Sequence, residues 1–264
     1  MRKDFKQRKE KKEWYGKLAS PSKMSFNECP YEYYSTINDP NKPQKYPNVD
    51  PESLVYKAHN GHAKHAEFQE DLKNLDVPWL KLFKDPGLDK IHPKIAEKML
   101  KHNKQYQGCI EFPLYFEKYD ILSYIDAIVD RGDNHPIPGD FKIKHYTAKI
   151  FKDRVEKNEI VDDTNFTQVC VYMFGLNESK IFEKPVKEGW LWYYNSPEVG
   201  ELSAEKEYKI DFVPELQELT KYLLDEHLKA ANLCKETTLK HDSNDCGYRF
   251  CGESRRLDTK KWYK

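Results

Sequence analysis

The chain has 264 residues, enough to bury one substantial core, so one domain with short tails is expected. Its residues are 33% charged, and no apolar run approaches the about 18 residues that a membrane span needs. The lysine-rich N-terminus lacks the apolar stretch of a signal peptide, which predicts a cytoplasmic protein that does not contact membranes. The formal net charge of zero neither indicates nor excludes binding to nucleic acid.

Both ends of the chain are basic. Residues 1–17 carry eight basic and three acidic side chains, and residues 252–264 carry five basic ones. Such ends suit contacts with phosphate groups, but they suit a solvated, partly disordered tail equally well. We therefore expect basic tails over 1–19 and 252–264 on either side of a domain over 20–251.

The predicted elements change from helices to strands along the chain. Ser20 and Pro21 form a helix-start signal, and helices are expected over 52–71 and 94–106. Three strands, rich in β-branched and aromatic residues, follow at 109–116, 121–130 and 137–144. Turn residues at 131–136 predict that the last two strands form a hairpin. A helix at 163–175, strands at 188–194 and 206–212 and a helix at 214–233 complete an α/β fold, with a mixed central sheet flanked by helices.

Charged side chains alternate along the two strands of the predicted hairpin. Asp126 lies on one face of its strand, and Asp140, Lys142 and Lys144 share one face of the next strand. In a hairpin, two carboxylates and a lysine can thus converge on one surface. Carboxylates hold divalent cations that activate water for phosphodiester hydrolysis, and a lysine can offset the charge that develops on phosphorus. The solvated face of an ordinary antiparallel hairpin gives the same alternation.

Two residue pairs flank the hairpin. Gly61 and His65 lie one helical turn apart on the same face of a predicted helix, and so do Gln168 and Tyr172. An imidazole at His65 can supply a nitrogen ligand to a metal, although a single histidine on a helix is more often structural or exposed. The second pair, taken alone, is ordinary helix packing.

Together and in this order, the four motifs resemble the RecB-like branch of the PD-(D/E)XK nucleases. That branch has a Gly-x-x-x-His helix, an aspartate on a strand, an Asp-x-Lys or Glu-x-Lys strand and a Gln-x-x-x-Tyr helix. The matching residues are Gly61 and His65, Asp126, Asp140 and Lys142, and Gln168 and Tyr172. The resemblance covers about 20–251, and segments 20–24 and 29–34 are similar to the start of the iron–sulfur members of this branch.

The resemblance implies a restriction-endonuclease-like core and a role for each motif residue. His65, Asp126, Asp140 and the backbone carbonyl of Phe141 would bind Mg²⁺ or Mn²⁺. Lys142 would be the catalytic lysine, and Gln168 and Tyr172 would orient the substrate or that lysine. Glu111, on the preceding strand, is a candidate for a further acidic group. Tyr124 departs from the family, which often has glycine there, and its ring is expected to narrow the cleft.

Six cysteines in a chain without a secretory signal are expected to be thiols or metal ligands rather than disulfides. Cys109 and Cys170 fall in apolar patterns, which predicts that they are core thiols. In the iron–sulfur members, one cysteine before the nuclease core and three near the C-terminus hold a 4Fe–4S cluster. The residues in the corresponding places are Cys29, Cys234, Cys246 and Cys251. The usual closing Cys-x-x-Cys is missing, because Ser243 stands three residues before Cys246, and a 4Fe–4S cluster, a zinc site and unliganded thiols all remain open.

The resemblance implies a stand-alone metal-dependent DNA nuclease, more specifically an exonuclease, since RecB-like members commonly act on DNA ends. The sequence contains no Gly-x-x-x-x-Gly-Lys-Ser/Thr phosphate loop, so any unwinding of DNA must come from a helicase or recombination-protein partner. Two other classes remain. One is a catalytically inactive DNA-binding or scaffold protein with the same fold, although the presence of Asp140 and Lys142 disfavours it. The other is a metalloprotein whose cysteines form the functional centre.

Overall fold

The computed structural model describes residues 18–37, 51–74, 80–101, 103–196, 204–236, 241–242 and 246–264, and side chains throughout these ranges except at 51–62, 235 and 236. The fold is α/β, with a curled mixed sheet flanked by helices, which confirms the predicted class at this level. Most of the predicted N-terminal tail lies outside the described residues. No helix within the described ranges has the length and apolarity that crossing a membrane requires.

Within the described part of the chain, six strands form one sheet. They are β1 (Lys81–Leu82), β2 (Ile110–Phe116), β3 (Ile121–Asp130), β4 (Ile137–Lys144), β5 (Glu188–Asn195) and β6 (Ala204–Asp211). Strand β3 pairs with β1, β2 and β4, and the order then continues through β5 to β6. The β4–β5 pair is parallel and all other pairs are antiparallel, so the predicted β3–β4 hairpin is confirmed. The parallel pair requires a long crossover between β4 and β5, and helices occupy it.

The helices lie on both faces of the sheet. They are α1 (Pro30–Ile37), α2 (Pro51–Asn74), α3 (Pro93–Lys101), α4 (Ala148–Glu156), α5 (Asp163–Ser179) and α6 (Pro214–Glu236). Helix α2 packs against one face through Phe68 and Leu72, which meet Phe141 and Trp190. Helix α5 covers the opposite face, where the larger core lies, and α6 packs against α5. The sheet therefore separates two apolar layers. Polar side chains of the sheet that are buried in either layer need hydrogen-bond partners within the fold.

The predicted helix over 94–106 is wrong at its C-terminal end, because α3 stops at Lys101. Asn103 has a left-handed backbone with φ of 51°. Its N–H donates to the Leu100 carbonyl, and the N–H of Lys104 donates to the Met99 carbonyl. These two bonds are those of a Schellman motif, which asparagine can support, and they end the helix. Helices α1 and α4 and the short strand β1 were not predicted.

The C-terminal segment over 252–264 does not form the solvated tail that its charge predicts. Trp262 is buried and stacks on Phe166 of α5, with ring centroids 6.2 Å apart. Tyr263 forms a bridge with Ile210 of β6. The hydroxyl of Thr259 donates to Asp163 at 2.8 Å. The aromatic residues are buried although Lys260, Lys261 and Lys264 beside them stay exposed, so the segment packs on the fold without desolvating its basic side chains.

Helix α5 approaches the sheet closely at Gly175. A Cβ atom at this position would lie only 1.6 Å from Cζ of Phe116 on β2. We expect Gly175→Ala to lower the free energy of unfolding by about 1–3 kcal/mol, because Phe116 must move. In a helix without such a contact, alanine is more favourable than glycine by roughly 1 kcal/mol, so helix propensity by itself would stabilise the variant. Urea unfolding measures the difference, and Glu178→Ala, at an exposed position of the same helix, is the control. A higher free energy of unfolding for both variants would contradict the close approach of α5 to Phe116.

His227 of α6 is buried against the rings of Tyr33 and Tyr34. Neither of its ring nitrogens has a hydrogen-bond partner among the described residues. Burial lowers the pKa of His227 to about 3. Between that pH and the ordinary histidine pKa of about 6.5, the unfolded chain binds a proton that the folded chain does not. This histidine therefore stabilises the fold fully only above about pH 6.5, and the contribution declines as the pH falls toward 3.

Replacing His227 by leucine is expected to remove this loss at acid pH. The difference in unfolding free energy between His227→Leu and the native protein should become more favourable to the variant as the pH falls from 7.5 to 4.5. Urea unfolding at several pH values measures this slope. The exposed His145, changed to glutamine, provides the control. If the free energies of unfolding of His227→Leu and of the native chain change in parallel with pH, the pKa of the buried histidine is not lowered.

Candidate functional site

The β3–β4 hairpin brings the two predicted aspartates together. Oδ2 of Asp126 on β3 accepts a hydrogen bond from the backbone N–H of Phe141 on β4 at 2.8 Å. Asp140, the residue before Phe141, is only 1% exposed. Asp140 and Lys142 face α5, whereas the ring of Phe141 points to the other face and stacks on Phe68 of α2 at 5.4 Å. The alternation expected along β4 is therefore present.

One glutamine joins α5 to the charged pair of β4. Nζ of Lys142 lies 2.5 Å from Oδ2 of Asp140 and donates to Oε1 of Gln168 at 3.1 Å. Nε2 of Gln168 donates to Oδ1 of Asp140 at 3.0 Å and to the hydroxyl of Tyr172 at 2.6 Å. The Tyr172 hydroxyl in turn donates to the backbone carbonyl of Tyr124 at 3.1 Å. The Gln-x-x-x-Tyr pair therefore does not serve only apolar packing, because it fixes the carboxylate and the lysine.

Helix α2 adds an imidazole on the other side of Asp126. Nδ1 of His65 lies 3.6 Å from Oδ2 of Asp126. A hydrogen bond to the backbone of Phe141 acts on the same imidazole. Gly61 lies one turn earlier in α2, as the sequence predicts. His65, the Asp126 carboxylate and the Phe141 backbone, all named from the sequence, thus lie together.

Glu111 lies beside this group in an unusual backbone conformation. It occupies β2 opposite Asp126, between the registered pairs Ile110–Ala127 and Phe112–Ile125, and its φ is 49°. A non-glycine residue in this left-handed region costs roughly 1–2 kcal/mol. The Glu111 carboxylate accepts a hydrogen bond from Nε2 of Gln69 at 2.8 Å. Gln69 follows His65 by one turn of α2, and the sequence reasoning missed it; its i+4 position on the same helical face was the available signal.

Burial and like charge act together on the acidic groups. Burial raises the pKa of Asp126 well above its usual range, and the nearby charge of Asp140 raises it further. Burial also lowers the pKa of His65. For Lys142, burial lowers the pKa, but the charge of Asp140, its hydrogen bond to the lysine and the charge of Asp126 together outweigh burial. The pKa is therefore raised, and the lysine stays protonated. Two close carboxylates with one lysine leave an excess of negative charge, which an added cation would offset.

A second cluster lies at the chain ends and consists of three thiols and one imidazole. Its members are Cys29, His241, Cys246 and Cys251, whose ligand atoms all lie within 4.8 Å of one another. None of the cysteines forms a disulfide. The cluster could hold a metal ion, which supports the expectation of a cysteine-based metal centre at this coarse level. Cys109 and Cys170 are buried in the main core, consistent with their predicted role as core thiols.

The fourth predicted cluster residue, Cys234, is replaced by His241. Cys234 lies in α6 and packs with Ala230, Ala231 and Tyr34. Its Sγ donates to the backbone carbonyl of Tyr34 at 3.6 Å. The position belongs to the buried stripe of the helix, so the thiol points into a core and not toward the other three cysteines. The sequence reasoning missed His241, although it lies five residues before Cys246 in a cysteine-bearing segment.

No protein-family model matches this chain, and no curated protein matches it.

Removal of the Tyr172 hydroxyl tests the network around Gln168. Tyr172→Phe leaves the ring but removes the acceptor of one Gln168 N–H bond and the donor to the Tyr124 carbonyl. Because these groups are buried, we expect the free energy of unfolding to fall by about 1–3 kcal/mol. Urea unfolding measures the loss. An unchanged free energy would indicate that the hydroxyl makes no structural contribution.

Proposed function

We propose that this chain is a divalent-metal-dependent DNA nuclease of the RecB-like PD-(D/E)XK type, acting as an exonuclease. The observation that carries the proposal is the convergence of His65, Asp126, Asp140, Lys142 and Gln168 from four separate elements. A solvated hairpin face, the alternative reading of the sequence, does not require a buried aspartate linked to a lysine and a glutamine. DNA as the substrate, and a helicase or recombination protein as a partner, follow from the family resemblance.

The donor groups fit a hard divalent cation. Two carboxylates, one backbone carbonyl and one imidazole are oxygen-rich ligands of the kind that suit Mg²⁺ or Mn²⁺. Oδ2 of Asp140 is buried, lies next to Lys142 and accepts no hydrogen bond of good geometry within the described part of the chain. A bound cation would polarise the scissile phosphate and lower the pKa of a coordinated water molecule. His65, Asp126, Asp140 and the Phe141 carbonyl would hold it.

Lys142 is suited to act on the reacting phosphate. Its ammonium group is protonated and held in place by Asp140 and Gln168, so it needs little reorganisation when negative charge increases. Gln168 and Tyr172 are positioning residues in this scheme, because they contact the lysine and its aspartate. Glu111 adds a further carboxylate next to Asp126, where it can extend the ligand set.

The decisive variant is Lys142→Met, which keeps an unbranched apolar side chain of similar length and removes the ammonium group and its charge. We expect cleavage of DNA with Mg²⁺ or Mn²⁺ to fall at least about 100-fold at saturating DNA, the usual cost of removing one preorganised charge-stabilising group. End-labelled linear DNA and closed circular DNA are the substrates, and an exonuclease degrades only the first. Lys144→Met is the matched control, because this lysine lies on the same face of β4 with a similarly buried side chain but is paired with Asp162.

Native rates of cleavage in folded Lys142→Met would contradict the catalytic assignment. Binding of DNA without cleavage by the native chain, with either metal, would instead favour a catalytically inactive DNA-binding or scaffold protein. Tyr172→Phe gives a further comparison. If Tyr172 is a positioning residue, its replacement lowers the turnover number more than the loss of stability explains. If Tyr172 serves only the core, its replacement lowers the free energy of unfolding and leaves the turnover number unchanged.

A further inference from the structure

The family resemblance implies a 4Fe–4S cluster, but the geometry of the thiol cluster does not fit one. Sγ of Cys29 lies 3.4 Å from Sγ of Cys246, and Sγ of Cys251 lies 3.3 Å from Nε2 of His241. In a 4Fe–4S cluster, each protein ligand binds a different iron at a different corner of the cube. The ligand atoms must then surround the whole cluster, and a group whose members all lie within 4.8 Å leaves no room for it.

The same distances fit ligands of a single tetrahedral ion. Zinc bonds of about 2.3 Å to sulfur and about 2.0 Å to nitrogen, at tetrahedral angles, place the ligand atoms roughly 3.5–3.8 Å apart. Three thiolates and one imidazole are also a frequent ligand set of structural zinc, which is closed to substrate and solvent. Cys29 and Cys251 are buried, which agrees with a closed site.

We propose that Cys29, His241, Cys246 and Cys251 bind one zinc ion in a tetrahedral structural site, in place of an iron–sulfur cluster. This inference goes beyond the proposed nuclease and does not depend on it. Cys234, which the family pattern would include, has no part in the site.

The groups around the cluster suit thiolate ligands. The backbone N–H of Tyr248 donates to Sγ of Cys246 at 3.5 Å. Backbone groups of Tyr31 and Glu32, at the start of α1, hydrogen-bond to Cys29. Such N–H donors orient metal-bound sulfur and partly neutralise its charge. The hydroxyl of Tyr248 also donates to the carbonyl of Phe26 at 2.8 Å, so the C-terminal segment is held to the N-terminal one beside the metal.

The zinc would connect segments that are far apart in sequence. Cys29 precedes the strands, whereas the other three ligands follow α6. Closing a loop of this length restricts the unfolded chain, and metal binding contributes directly to folding. We therefore expect the metal to stabilise the fold without taking part in catalysis.

Metal content tests the proposal. The full chain, produced with both zinc and iron in the medium and purified without oxygen, should be colourless and contain one zinc and no iron per chain. Replacement of zinc by Co²⁺ should give the visible absorption bands of tetrahedral thiolate coordination. Cys251→Ser and His241→Ala should lose the zinc equivalent and lower the melting temperature by at least about 10 °C.

Two variants keep the test decisive if the ligand variants fail to fold. Cys234→Ser should retain one zinc per chain, because this thiol lies in the α6 core. Asp126→Asn should also retain it, which shows that the ion is not in the carboxylate site. The proposal would be overturned by native protein that is brown and holds roughly four irons per chain, if Cys234→Ser removes this colour. Folded native protein without any bound metal would overturn it as well.

Discussion

The candidate active site depends on the side-chain amide of Gln168. Its oxygen accepts from Lys142, and its nitrogen donates to Asp140 and to Tyr172. The amide accepts from the cation and donates to the anion at the same time, whereas a glutamate would repel Asp140 and lose the donor. Because the group is buried, each unmet bond would be costly, so the network admits one arrangement. The position of Gln168 thus determines where the lysine and the carboxylate lie.

Described segments near both ends of the chain in turn position Gln168, although none of their described residues belongs to the candidate site. The N–H of Phe26 donates to the hydroxyl of Thr167, the residue before Gln168. Asp163, in the first turn of α5, accepts from Asn27 and from Thr259. The first turns of α5 are therefore held by the N-terminal and C-terminal segments, which the thiol cluster holds to each other. A metal bound by that cluster, as we propose, would therefore act on the candidate site through the placement of α5.

The sequence predicts what is periodic and fails where periodicity ends. Alternation along β3 and β4 predicted that Asp126, Asp140 and Lys142 could share a surface, whereas His65, Gln168 and Tyr172 were joined to them only through the family resemblance. Cys234 was assigned by resemblance against its own helical signal, because it continues the buried stripe of Leu223, Leu224, Ala230 and Ala231 in α6. His241 lies beyond the end of that helix, in a segment without a repeating pattern, and only tertiary structure brings it to the cysteines. Glu111 was named from the sequence as a further acidic group, but its left-handed backbone was not predicted, since nothing in a strand pattern indicates one.

The two clusters differ in the kind of metal that they can bind. Carboxylates, a backbone carbonyl and an imidazole favour a hard cation that keeps some of its water molecules, as Mg²⁺ does. Three thiolates and an imidazole favour zinc and leave no position for water or substrate. The ligand chemistry alone can therefore keep a catalytic cation and a structural one apart in a single chain. If the chain is the proposed nuclease with the proposed zinc, the carboxylate site would exchange its ion during turnover, while the thiol site would retain its own and keep α5 in place.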